Sequence, residues 1–149
     1  MNQDQSVSSY PDRVRVHVEF VISGNSSPDA ITEALGIRPD SVQRVGEPIA
    51  RRPDGSPAAK ARFNRWAVSS AHRTTSRELD HHLRILLDIV LPRREEISRL
   101  SLSDRLWFWI FWESDAMPRG TGMILSADVC RDVASLCAEL DFDLYCSAH

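Results

Sequence analysis

The sequence predicts an α+β domain: a mixed, largely antiparallel sheet with helices packed on one face. Three observations carry that prediction. Arg13 to Ile22, broken only by Val21, alternates between polar and apolar residues, the period of a strand with one wet and one buried face. Leu79, Leu83, Leu86 and Val90 recur at the spacing of a helical stripe. Arg105 to Glu113 is apolar on both faces, as a central strand packed on each side requires.

The chain has 149 residues, 42% of them hydrophobic and 26% charged, the make-up of one ordinary globular domain. That domain is expected over residues 12–149, behind a flexible polar tail at 1–11. In the first strand Val14, Val16, Val18, Phe20 and Ile22 share the buried face, and Arg13, Arg15, His17 and Glu19 the wet one. Ser27-Pro28-Asp29 opens a helix, with Ser27 as cap and Pro28 in the first turn. Gly36 closes it in the left-handed conformation, and Pro39 forbids its extension. A weak strand is expected over 41–45. Residues 47–61, with Pro48, Pro53, Gly55 and Pro57, read as a long exposed loop.

Asn64 to Ser70 is a third strand. Thr75-Ser76-Arg77-Glu78 is a capping box, which starts the Leu-rich helix at Thr75. Pro92 interrupts that helix, and one or two further turns follow to Leu100. After the aromatic strand, a turn at 117–120 leads to a strand at 121–125. Ser126 caps the last helix. Its stripe is Val129, Val133, Leu136 and Leu140, with Cys130 and Cys137 as apolar fillers beside it. A closing strand runs over 142–147. The order is β-α-β-β-α-β-β-α-β: a split β-α-β, ferredoxin-like core with an extension.

Several of these segments together carry a family resemblance. They are Asp29 to Pro39 (Asp-Ala-Ile-Thr-Glu-Ala-Leu-Gly-Ile-Arg-Pro), Gly46, Trp66, His82 to Leu87, Leu91-Pro92, Ile124-Leu125-Ser126 and Phe142 to Tyr145. In this order they resemble the bacterial family of domain of unknown function 4279, over residues 13–146. The resemblance implies the fold and carries no catalytic residue over. An arginine-dominated basic complement, with Lys60 the single lysine, agrees with a GC-rich bacterial source. Small single-domain proteins of this look are often suspected, by analogy alone, of being immunity proteins for bacterial toxins. By that analogy the expected function is a non-enzymatic protein-binding module of the immunity type, with a toxin as partner.

Charge is unevenly spread. Between Arg44 and Arg77 eight basic residues face two acids, and from Leu106 onward seven acids face two arginines, within a net charge of −3. The basic stretch, Arg51 and Arg52 included, is a candidate contact for nucleic acid, which the negative net charge disfavours. Three cysteines, an odd number, and no apolar leader predict a reduced, cytoplasmic protein without disulfides. No apolar run approaches a membrane span. No histidine or cysteine spacing suits a metal, so no metal or cofactor is expected.

The candidate binding surface is the wet face of the sheet. Trp109 and Phe111 share the face opposite the main apolar stripe of their strand. If Arg13, Arg15 and His17 share it too, an aromatic floor with an arginine wall results. It would suit an acidic or planar small molecule, the alternative to a protein partner. A catalytic reading has only His17, Asp141, Asp143 and Cys146 to draw on, and nothing in the sequence links them.

Overall fold

The computed structural model describes residues 14–114 and 123–146. The expected tail at 1–11 lies outside the described residues. The elements in order are β1 (Val14–Gly24), α1 (Pro28–Leu35), β2 (Ser41–Gln43), β3 (Pro48–Arg51), β4 (Pro57–Lys60) and β5 (Asn64–Ser69). Then come α2 (Leu79–Val90), α3 (Arg94–Leu100), β6 (Asp104–Ser114), α4 (Ala127–Ser135) and β7 (Glu139–Cys146). Five strands form one sheet in the order β2-β5-β1-β6-β7. Every neighbouring pair is antiparallel except β6 and β7. The strands of β1-α1-β2 enclose β5, and those of β5-α2-β6 enclose β1. These are the two interlocked split β-α-β units of a ferredoxin-like core. α4 then carries the chain to β7, outside β6.

The alternation of β1 decides where the core sits. Val18, Phe20 and Ile22 turn to one face, with Trp66 and Val68 of β5 and Phe108 and Ile110 of β6. They meet Ile31 and Leu35 of α1, Leu83, Leu86 and Val90 of α2, Ile97 of α3, and Val129 and Val133 of α4. All four helices therefore cover the same face, and each fully buried aliphatic or aromatic side chain contributes about 1.5–3 kcal/mol there.

Local chemistry sets the element ends. Ser27 accepts the Ala30 N–H as the cap of α1, and Gly36 ends that helix at φ 63°. Pro92 sits in a single 3-10 turn, Leu91–Arg93, between α2 and α3. Ser126 caps α4 by accepting the Val129 N–H, and the cap is itself held by Asp80, which accepts the Ser126 N–H at 2.7 Å.

Several boundaries differ from the sequence-based reading. The stretch 47–61 holds a hairpin, β3 paired with β4 as a separate two-stranded sheet. Gly55 supplies the positive φ (84°) its turn needs, and Asp54 accepts the Ser56 N–H. β2 stops at Gln43 because side chains take the next backbone donors: Glu47 accepts the Arg44 N–H and Asn64 the Val45 N–H. The Leu-rich helix begins at Leu79, with no capping box at Thr75. Thr74 and Ser76 instead accept the N–H groups of Ser76 and Glu78 in two short turns. Residues 123–126 are not a strand, and the rest of the strand expected at 121–125 lies outside the described residues. β7 begins at Glu139, so Leu140 belongs to a strand rather than to the helical stripe. Cys130 and Cys137 are exposed rather than buried fillers, and Cys137 turns the chain at φ 53°.

Candidate functional site

The helix-free face of the sheet is built by the odd-numbered residues of β1, β6 and β7. The register lays them out in rows: Arg15, Glu113 and Tyr145; His17, Phe111 and Asp143; Glu19, Trp109 and Asp141; Val21, Trp107 and Glu139. Among the described residues the helices pack only on the other face of β6. Its second apolar face carries Trp107, Trp109 and Phe111, all half-buried. They lean on one another and on side chains of the neighbouring strands. The His17 ring stacks on Phe111 at 4.8 Å and stands edge-on to Trp109 at 5.4 Å. Phe111 lies 5.3 Å from the Tyr145 ring, and the Arg105 guanidinium covers Trp107 at 4.7 Å. Such ring pairs add about 0.5–1.5 kcal/mol beyond their burial.

His17, Trp109 and Phe111 thus meet in one cluster, and Arg15 stands one row away. Arg13 lies outside the described residues. Arg51 belongs to the separate hairpin sheet, and Arg52 is exposed in its turn. Tyr145, Asp141 and Asp143 were not tied to this surface by sequence. The signal for them is the parallel register of β6 and β7, which no local pattern encodes.

The charges differ from an arginine wall. Arg15 lies 3.5 Å from Glu113, Arg65 is paired with Glu19, and Arg105 reaches Glu139 at 2.7 Å. Among the described residues each of these three arginines is therefore matched by a carboxylate. Asp141 and Asp143 form no ion pair among the described residues. Asp143 only accepts the Tyr145 hydroxyl at 3.1 Å, which holds the Tyr145 phenol above its usual range. Among the described residues the surplus charge of the face is negative. The basic stretch of the sequence is partly neutralised as well: Arg44 binds Asp29 and Arg73 binds Asp40, both acids from outside that stretch.

The catalytic candidates divide between two faces. His17, Asp141 and Asp143 share the open face, with the Phe111 side chain between His17 and Asp143. Cys146 alternates with them along β7 and faces the other way. A second polar constellation, not anticipated from sequence, is buried. Ser70 Oγ accepts the Val18 N–H at 2.9 Å and donates to His82 Nδ1 at 2.7 Å. His82 Nε2 donates to the Ser76 carbonyl at 2.8 Å. Ser70 and His82 are both sealed from solvent. The pair resembles a nucleophile and its base only in residue type. Burial pushes the His82 imidazole below its ordinary value, and a carbonyl, not a carboxylate, orients it. The arrangement ties β1 to the start of α2.

Together the topology and this face define an α+β domain with a ferredoxin-like core, an added α-β unit and one open aromatic sheet face. The chain belongs to the family of the domain of unknown function DUF4279, whose model matches residues 14–147. No curated protein and no solved structure matches it. Among the described residues no helix is long and apolar enough to cross a membrane.

Proposed function

We propose that the protein is a non-enzymatic binding module that presents its open sheet face to a basic protein partner. The finer reading is an immunity-type inhibitor that masks a basic surface of a toxin. One observation carries it: half-buried aromatic rings stand beside Asp141 and Asp143, two carboxylates that no arginine reaches within ion-pair distance among the described residues, although Arg105 also feels the charge of Asp141. Aromatic side chains give a partner a large, low-entropy contact area, and an unpaired acid rim speeds association with a positive surface. An anion-binding reading has the chemistry against it, since Arg15, Arg65 and Arg105 already hold carboxylates.

The test is co-expression with the protein encoded beside its gene, followed by native purification of wild type and a Trp109→Ala variant. A stoichiometric complex with a basic protein is expected. Its affinity should fall at least about tenfold in the variant, the loss typical of a central aromatic contact. A complex indifferent to Trp109, or no complex at all, overturns the reading.

A further inference from the structure

β7 is the outer strand of the sheet, paired with β6 on one side. Among the described residues nothing pairs with its other side. It is eight residues long, whereas β2 at the opposite edge has three. An unpaired edge of that length offers a row of free backbone donors and acceptors. Its side chains alternate sharply. Asp141 and Asp143 lie on the open face, while Phe142 and Leu144 lie on the helix side, 41% and 53% exposed.

That alternation selects the occupant. A second copy pairing antiparallel about Phe142 would set Asp141 against Asp143 on both sides of the two-fold axis. Like charges directly opposite one another destabilise a strand pair. An extended segment with basic residues at every second position and apolar residues between them has the opposite fit. Its cations would meet Asp141 and Asp143, and its apolar side chains would cover Phe142 and Leu144. Resting on the reading above, we infer that the basic partner engages by strand addition: an extended segment of alternating basic and apolar residues joins the sheet at β7. Main-chain hydrogen bonds then hold the partner, and the alternating side chains select it.

A capped octapeptide alternating arginine and valine tests this by titration into the ¹⁵N-labelled full chain. One comparison peptide is N-methylated at every second residue, which removes backbone donors and keeps the side-chain charges. The expected result is saturable binding, with amide shifts and slowed hydrogen exchange concentrated at residues 139–146. Binding should weaken by about tenfold or more for the N-methylated peptide, and likewise in a folded Asp141→Lys, Asp143→Lys variant. Equal affinity for both peptides overturns strand addition. So do the absence of binding and shifts confined to the His17, Trp109 and Phe111 region. In each of those cases the broader reading is judged separately, by whether Trp109→Ala weakens the co-purified complex.

Discussion

At the scale of single residues, the buried Ser70 and His82 pair makes the sharpest demands. Every polar atom in it is used: the Val18 N–H, the Ser70 hydroxyl, both His82 nitrogens and the Ser76 carbonyl. Ser70→Ala would orphan the Val18 N–H and His82 Nδ1 together. Each unsatisfied buried group costs about 1–3 kcal/mol, so a loss of about 2–5 kcal/mol is expected in denaturant melts. The pair also makes stability depend on pH. His82 is harder to protonate in the folded state than in the unfolded chain, where its value is near 6.5. The unfolded state therefore takes up a proton first as pH falls. The His82 contribution is complete above about pH 6.5 and is lost as pH drops toward the lowered folded-state value, with a slope of at most about 1.4 kcal/mol per pH unit. His82→Gln should flatten stability against pH between 7 and 5, measured by urea unfolding at each pH. An unchanged slope would mean that another group titrates. Asp40 and Asp104 act in a separate, more acidic window. Burial would raise both, but the Ser69 N–H and Arg73 outweigh it at Asp40, and Ser26 and Ser103 at Asp104. Both therefore lie below 3.8, and what they contribute is lost only as pH falls below about 4.

At the scale of elements, the turn from β1 into α1 depends on one close approach. Asp104, at the start of β6, accepts from the Ser26 N–H at 3.0 Å and the Ser26 hydroxyl at 2.6 Å. Gly24 pairs with Asp104 across the strands, and a Cβ there would stand 2.4 Å from the Asp104 carboxylate and 3.1 Å from its Cα. Gly24→Ala must push the carboxylate off Ser26, at a cost of about 1–3 kcal/mol. With Asp104→Ala already present, the added cost should be clearly smaller, and a double-mutant cycle by thermal unfolding reads the coupling. Additive costs would show that the carboxylate is not the obstacle. The same elements show what the sequence could and could not display. The first strand, the caps at Ser27 and Ser126, the Gly36 stop and the Pro92 break were legible, because each is set by neighbouring residues. The end of β2, the start of α2 and the hairpin at 48–60 were not. There, side chains take backbone groups that a strand or helix would use, Glu47 and Asn64 after β2 and Thr74 and Ser76 before α2, and the polar pattern of those segments does not show which backbone group each takes. The open face was half legible for the same reason. Alternation put Arg15 and His17 on one side of β1, and Trp109 and Phe111 on one side of β6. Only the register showed that both sets meet, that Asp141, Asp143 and Tyr145 join them, and that acids neutralise the arginines.

At the scale of the whole molecule, the fold divides into a ferredoxin-like core and an added unit, α4 with β7. The core closes on itself through the two interlocked β-α-β units. The added unit is attached along two lines: β7 on β6, and α4 on α2. Asp80 holds the Ser126 cap, and Arg84 reaches Asp132 at 2.6 Å. Val129, Val133 and Leu136 supply its share of the core. The proposed contact strand β7 thus hangs on a unit at the edge of the sheet, joined to the core along one strand and one helix, and peripheral units of this kind open before the centre of a fold. Asp80→Ala removes the acceptor that fixes the α4 cap, at a cost of about 1 kcal/mol. If the added unit opens on its own, native-state hydrogen exchange should quicken about fivefold in α4 and β7 for that loss, while β1 and β5 stay protected. Uniform acceleration in all four elements would instead mean that the extension and the core unfold as one cooperative body. β7 would then be as fixed as the centre of the sheet, presenting its edge to a partner without prior loosening.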